Sequence, residues 1–272
     1  AYGAPLAPYD AALIRYTANP FEKRALKALR RWLVKASRAG RLAHQAPVSW
    51  RILPTVLAAA EEAASALEET AHISLRSVTD NPVYVLPDRK HPMGRVISTG
   101  GYHNAQATPA IDTMNARFAD LCTLCDRHTM KLHSAEHLPP SLARPGAQSW
   151  GTTLLSFVQV GYGEQARHAA RRTFLPPSEG GGIGGQNDVA SATMFAYQKH
   201  LKATVCLVSA LALLAVSASQ ALWARDVKPA APLREFVDAI RGYVPPFETR
   251  TGRNFGAELH ALQRHFATIL KD

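Results

Sequence analysis

The sequence contains only three cysteines, Cys122, Cys125 and Cys206, in 272 residues. An odd number cannot pair completely, and no basic-then-apolar leader opens the sequence, so we expect a protein that is not secreted. A reducing cytoplasm fits this cysteine content best. Cys122 and Cys125 lie in a helical pattern without a second Cys or His pair at a zinc spacing, which predicts small core residues rather than a metal or redox site.

Acidic residues are also scarce, with 21 Asp and Glu against 31 Lys and Arg and a formal net charge of +10. Bases between Glu22 and Arg41 share one face of a predicted amphipathic helix. They are Lys23, Lys27, Arg30, Arg31, Lys35 and Arg38, opposite Leu26, Leu29, Trp32 and Leu33. Such a face attracts nucleic acid or an acidic protein, but most are simply solvated. Because no nucleic-acid motif or stacking aromatics accompany it, nucleic acid is not the expected partner.

Motifs of several common enzyme classes are missing. The sequence has no G-x-S-x-G segment. The glycine-rich run from Gly180 to Gly185 lacks the Lys-Ser or Lys-Thr pair and the preceding strand of a phosphate-binding loop, and we expect a flexible hinge there. His133 and His137 lack the glutamate placement of a zinc-protease helix. We therefore expect helix-surface or interface histidines and no metal site.

Apolar residues recur at helical spacing through most of the chain. The pattern predicts an all-α protein, a bundle of long antiparallel helices with a small hairpin insertion at Val83–Val85 and Arg95–Ile97. The predicted helices span residues 53–72, 111–132, 154–172 and 187–224, and Pro139-Pro140 ends the second helical region. Residues 203–223 carry no charge, so a membrane span has to be considered. Their many Ala and Ser residues favour burial inside an oligomer instead, and we expect no membrane contact.

Five segments occur in an order that resembles one enzyme family. They are Gln45-Ala-Pro-Val-Ser-Trp-Arg51, Ser77-Val-Thr-Asp-Asn-Pro82, Ser98-Thr-Gly-Gly-Tyr-His103, Phe174-Leu-Pro-Pro-Ser178 and Gln186-Asn-Asp-Val-Ala-Ser191. From about residue 20 to residue 225, the sequence is similar to the second half of the aromatic amino acid ammonia-lyases. These histidine, phenylalanine and tyrosine lyases use a methylidene-imidazolone (MIO) electrophile.

The resemblance implies a bundle of very long helices that associates as a tetramer. We expect residues 1–272 to form a single domain corresponding to the second half of such a lyase. Within it, residues 1–44 form a basic helical region, residues 45–225 the core bundle and residues 226–272 a helical tail.

The resemblance also implies substrate-binding roles for residues of these segments. Arg51 matches the arginine that holds the substrate carboxylate, and Gln45 matches a glutamine near the electrophile. Tyr102 stands where the family has a Phe beside the substrate ring. Gln186 opens the segment that matches the family's Gln-Glu-Asp motif. For Arg51 and Gln45 the alternative is a structural pair at a helix start.

Three positions depart from the family pattern. Val48 replaces a Tyr, Asn187 replaces the Glu or Gln close to the substrate amine, and Gly101 replaces an Asn. Because a valine neither donates a hydrogen bond nor moves a proton, one polar group of the usual site is missing.

The electrophile is absent as well. The family forms MIO from an Ala-Ser-Gly tripeptide, and this sequence contains no Ser-Gly dipeptide. No catalytic set is complete in this chain, and we expect MIO and the tyrosine base on a separately encoded first-half subunit. Since family sites are assembled from neighbouring chains, we expect a hetero-oligomer, a tetramer of halves.

The sequence thus predicts one subunit of a two-component aromatic amino acid ammonia-lyase. In the family mechanism MIO takes up the amine or ring, a base removes the β-proton, and ammonia leaves to give an arylacrylate. One alternative is an aminomutase or another reaction on an aromatic substrate. Another is a non-catalytic scaffold or regulatory subunit, and a basic nucleic-acid-binding protein is the least favoured.

Overall fold

A computed structural model gives the structure of residues 1–34, 36, 41–42, 45–144, 152–178, 183–248 and 253–269. Helices dominate these residues, which confirms the predicted all-α fold. The helices are α1 Leu13–Tyr16, α2 Pro20–Trp32, α3 Val48–Arg51, α4 Leu53–Arg76, α5 Ala107–Ser134, α6 Leu155–Ala169, α7 Thr193–Ala224, α8 Arg234–Tyr243 and α9 Phe255–Ile269. Strands β1 (Val83–Val85) and β2 (Arg95–Ile97) form the predicted antiparallel hairpin, with Tyr84 opposite Val96.

Helices α4 to α7 alternate in direction and form the centre of the molecule. The start of α4 lies near the end of α5. The Trp50 ring, just before α4, stacks on His128 of α5. The end of α4 lies near the start of α5, where the Ser74 hydroxyl donates to Asn104 Oδ1 at 3.2 Å. Helices α5 and α7 run parallel, since Thr108 meets Thr193 at their starts. Neighbouring helices in sequence are therefore antiparallel, as predicted.

Small side chains allow α5, α6 and α7 to approach closely. Cys122 and Cys206 pack with Ala166 and Ala210 where the three helices meet, and all four are at most 1% exposed. A second cluster joins α6 and α7 to α8 and α9, with Leu213 and other large apolar side chains. Helices α8 and α9 lie in the predicted helical tail. The division into one domain with three regions remains a prediction.

The apolar helix α7 is long and apolar enough to cross a membrane by length and composition. However, 67% of its most apolar 18-residue window is buried inside the chain. A helix at the centre of a bundle has this pattern, because it packs against other helices on most sides. Burial within the bundle thus accounts for the run of residues without charge.

Several predicted helix boundaries are wrong. Helix α7 begins at Thr193 rather than at residue 187, because the preceding residues pair with another segment as a short ladder centred on Pro177 and Val189. Helix α5 ends at Ser134, well before Pro139-Pro140. Helix α2 ends at Trp32, whose side chain is 45% exposed although it was predicted on the apolar face. Lys35, Arg38 and residues 180–182 of the glycine-rich run lie outside the described residues.

The buried cysteines give a test of the packing. Desolvation, together with the neighbouring Cys206, raises the pKa of the Cys122 thiol to about 12, and burial also raises the pKa values of Cys125 and Cys206. Because the thiolate is the reactive form, we expect iodoacetamide at pH 8 to label the folded protein far more slowly than the protein unfolded in guanidinium. Mass spectrometry over time measures the labelling. Equal rates in the two states would contradict this core.

Candidate active site

A short helical turn carries the first group of predicted site residues. In α3 (Val48–Arg51) the amides of Trp50 and Arg51 donate to Pro47 O at 3.0 and 3.3 Å, and α4 follows after one residue. Gln45 and Arg51 are exposed, and Val48 is 56% exposed. The three side chains are therefore accessible on the surface of the single chain.

Aromatic stacking anchors this turn to the bundle. The Trp50 ring lies between Tyr2 and His128, with centroid distances of 4.4 and 4.2 Å. The Tyr9 hydroxyl donates to Trp50 O at 2.6 Å, and burial raises the pKa of Tyr9 to about 12. Burial lowers the pKa of His128, so its imidazole is neutral at pH 7. The backbone that carries Arg51 is thereby fixed beside the last part of α5.

The Arg51 guanidinium makes no hydrogen bond or ion pair with any residue that the structure describes. Other arginines in the described part of the chain, by contrast, form ion pairs. Arg24 pairs with Glu61, and Arg253 pairs with Glu258. A planar guanidinium with free donors is suited to bind a carboxylate through two parallel hydrogen bonds.

The second group consists of Tyr102, Gln186 and Asn187. Tyr102 lies in a single helical turn, Gly101–His103, and is 53% exposed, and Gln186 and Asn187 are exposed as well. Two hydrogen bonds join their segments. His103 Nε2 lies 3.3 Å from Ala190 O, and the Ser191 hydroxyl donates to His103 O at 3.2 Å. The structure thus brings together two motifs that lie far apart in the sequence.

The two groups lie at opposite ends of the bundle. The Arg51 turn is next to His128, whereas Tyr102 lies just before the first residue of α5, Ala107. His128 lies 21 positions after Ala107 in α5, which corresponds to about 30 Å at 1.5 Å per residue. A single chain therefore does not place all six predicted site residues around one amino acid.

Comparison with known proteins decides the family. A model of the aromatic amino acid lyase family matches residues 1–242. The chain belongs to the aromatic amino acid lyase family. The match confirms the resemblance that the five sequence segments indicate.

Curated relatives of this lyase-family chain include histidine ammonia-lyases of bacteria. The enzyme of Geobacillus kaustophilus is 29% identical over 227 residues, which cover 79% of this chain and 43% of the relative. That of Streptomyces coelicolor is 30% identical over 200 residues, covering 71% of this chain and 37% of the relative. The lyase-family chain thus spans less than half the length of these relatives.

Solved structures share the fold. Histidine ammonia-lyase from Trypanosoma cruzi superimposes with a TM-score of 0.83 at 19% identity, covering 98% of this chain and 50% of that one. A phenylalanine aminomutase from Pantoea agglomerans gives a TM-score of 0.82 at 17% identity, covering 96% and 54%. The ergothionase of Treponema denticola gives 0.80 at 15% identity, covering 98% and 53%. At these identities the likeness shows the lyase fold alone.

The histidines that suggested a metal site have other contacts in this lyase-family chain. His133 Nδ1 lies 2.9 Å from Thr129 O, and its Nε2 lies 2.7 Å from Thr152 Oγ1. His137 lies beyond the end of α5, with Nε2 2.7 Å from Tyr2 O. His133 is partly buried between elements of the chain, so of the two predicted places, helix surface or interface, the helix surface does not apply. Within the described ranges, no three His, Cys, Asp or Glu side chains are grouped to hold a metal ion.

Sequence reasoning did not assign a role to Trp50 or His128. The stack that fixes the Arg51 turn joins residues from the start of the chain, from α3 and from α5. One signal was present, because Trp50 is a large aromatic residue within the segment Gln45–Arg51. A large aromatic ring at that position is expected to pack against another part of the chain, but the sequence does not show which part.

Proposed function

We propose that this chain supplies the carboxylate-binding part of an aromatic amino acid ammonia-lyase and acts with a first-half polypeptide that bears the MIO electrophile. The observation that carries the proposal is Arg51, which stands at the family's motif position, is exposed and has no partner among the described residues. Family membership and the match to only about half of each reported relative support the rest.

The residues of this chain do not fit formation of the electrophile. The 272 residues contain no Ser-Gly dipeptide and hence no Ala-Ser-Gly tripeptide that could cyclise. The group is therefore expected on the first half, a separately encoded chain in the two-component arrangement, where it would activate the substrate for loss of ammonia. The tyrosine that acts as base belongs to that half as well.

Arg51 would orient the substrate by its carboxylate. A fork of two hydrogen bonds fixes both the position and the rotation of the amino acid, so its β-carbon would face the base. Gln45, which is exposed and precedes α3 by three residues, would lie near the electrophile. Val48 contributes an apolar contact where relatives place a phenol, so the proton transfers must rely on other groups.

Tyr102, Gln186 and Asn187 would come from another copy of this chain. Their distance of about 30 Å from the Arg51 turn exceeds the span of any amino acid, so a complete site needs two copies in antiparallel arrangement. Exposed apolar residues on α6 and α7 support such contacts. They include Phe157 (72% exposed), Met194 (66%), Leu201 (49%) and Val205 (63%). In that arrangement Tyr102 would pack beside the substrate ring.

A second candidate function is an aminomutase or a related reaction on an aromatic substrate. The observation that favours it is the pair of changes at Val48 and Asn187, which alter the polar groups next to the proposed electrophile and substrate amine. A change in the groups that hold or move the released amine could redirect it to the β-carbon. The aminomutase fold is the same, so the fold does not separate the two functions.

Co-expression with a first-half polypeptide that contains Ala-Ser-Gly tests the proposal. We expect the two halves to copurify and to convert Phe, Tyr or His into the arylacrylate, seen as a rise in ultraviolet absorbance. A β-amino acid product would establish the aminomutase instead. If an assembled pair with intact MIO gives neither product from any of the three substrates, a scaffold role replaces the enzymatic one.

A further inference from the structure

A buried network of charged and polar groups lies where α5, α7 and the end of α6 meet. Asp112 on α5 and Lys199 on α7 form an ion pair of 3.1 Å, with side chains only 10% and 14% exposed. Thr173, which follows α6, joins both. Its amide and hydroxyl donate to the two oxygens of Asp112 at 2.5 and 2.9 Å.

Every donor of the Lys199 ammonium has an acceptor in this network. Lys199 donates to Asp112 Oδ1, to Thr173 Oγ1 at 2.6 Å and to Arg171 O. A buried charge is tolerated only when it is paired and hydrogen-bonded, and each acceptor here restricts where the lysine and its neighbours can lie. The network therefore holds the backbone at residues 171–173 in one position relative to α5 and α7.

The chain after Thr173 leads directly to the predicted site residues. Ala190 N donates to Pro176 O at 3.0 Å, and Ser178 N donates to Asp188 O at 2.9 Å, so residues 176–178 pair with residues 188–190. That pairing forms the backbone next to Gln186 and Asn187. His103 in turn contacts Ala190 and Ser191, which ties the turn of Tyr102 to the same ladder.

We propose that Asp112, Thr173 and Lys199 are positioning residues that fix this ladder and thereby the placement of Tyr102, Gln186 and Asn187 in the assembled enzyme. The part of the proposal that concerns turnover rests on the function proposed above. The part that concerns the ladder does not, because it follows from contacts within one chain. None of the three residues is expected to touch the substrate, since their side chains are largely buried and hydrogen-bonded to one another.

Hydrogen exchange measured by mass spectrometry on this chain, purified without a partner polypeptide, tests the ladder directly. In Asp112→Asn and Thr173→Val we expect faster exchange of the amides of Ser178 and Ala190, seen in peptides covering residues 176–178, where Pro176 and Pro177 have no amide hydrogen, and 186–191. Thr173→Ser keeps the hydroxyl and should exchange like the unmodified protein. Peptides from residues 206–216 at the centre of α7 should be unchanged in all three variants, which excludes general loss of structure.

Glu258→Gln is the matched control. The Arg253–Glu258 pair is also partly buried, with side chains 20% and 25% exposed, but it lies at α9. Its loss should leave the exchange of residues 176–178 and 186–191 unaltered. Unchanged protection of the ladder in both Asp112→Asn and Thr173→Val would overturn the proposal, as would equal loosening of the ladder in Glu258→Gln.

Turnover gives a second measurement. A shift of about 1 Å in a positioning segment costs on the order of 100-fold in rate, so we expect Asp112→Asn and Thr173→Val to lower kcat by up to about that factor, with Thr173→Ser restoring it. A loosened ladder with unaltered kcat would overturn the link to the site while leaving the ladder result intact. If the unmodified enzyme has no lyase activity, the exchange experiment alone decides the proposal.

Discussion

Replacing Arg51 with alanine is expected to lower kcat/KM of the assembled enzyme by about 1000-fold, while the complex still forms. The reason is the loss of the proposed fork of charged hydrogen bonds to the substrate carboxylate in the assembled site. Removing one partner of such a pair costs about 4 kcal/mol, which corresponds to roughly that factor. Steady-state kinetics over a range of substrate concentrations, with size-exclusion chromatography for assembly, measures the effect.

Two further variants separate this role from a general effect of charge. Arg51→Lys keeps the charge but not the planar fork, so it should recover only part of the activity. Arg264→Ala removes an exposed arginine from α9 and should leave the kinetics unchanged. Near-full activity of Arg51→Ala would remove the carboxylate assignment and leave the alternative, a structural helix start.

Local patterns predicted the elements whose contacts are local. The hairpin occurs at the predicted residues because the apolar strands and the turn residues between them lie within fifteen positions, and Gly94 has a φ of +69° that a side chain would strain. Helices α4 and α5 follow their apolar periodicity in the same way. Such elements depend on neighbours in sequence, so the sequence is sufficient to predict them.

Long-range pairing accounts for the start of α7. The prediction began the helix at about residue 187, although the apolar repeat on which it rested starts at Met194. The amides of Ser178 and Ala190 instead form hydrogen bonds across the ladder between residues 176–178 and 188–190. These contacts depend on where α6 ends and on the network around Lys199. The residues of α7 alone carry no information about either, so they do not predict where the helix starts.

In the candidate site too, local motifs were predictable from the sequence and long-range contacts were not. Similarity to the family indicated candidate site residues, including Arg51 and Tyr102, because each lies in a short motif. It did not predict that the straight helices α4 and α5 separate these residues within one chain. The Asp112–Lys199 pair joins residues 87 positions apart and leaves no local signal.

We propose that each active site combines Arg51 from one copy of the chain with Tyr102 and Asn187 from another copy. Mixing two inactive variants, Arg51→Ala and Tyr102→Ala/Asn187→Ala, during assembly with the first half tests it most directly. Random assortment of the two copies should leave roughly a quarter of the sites with wild-type residues from both sources, and activity should return to about that level. If the mixture stays as inactive as the separate variants, although mass spectrometry shows mixed assemblies, the shared site is contradicted.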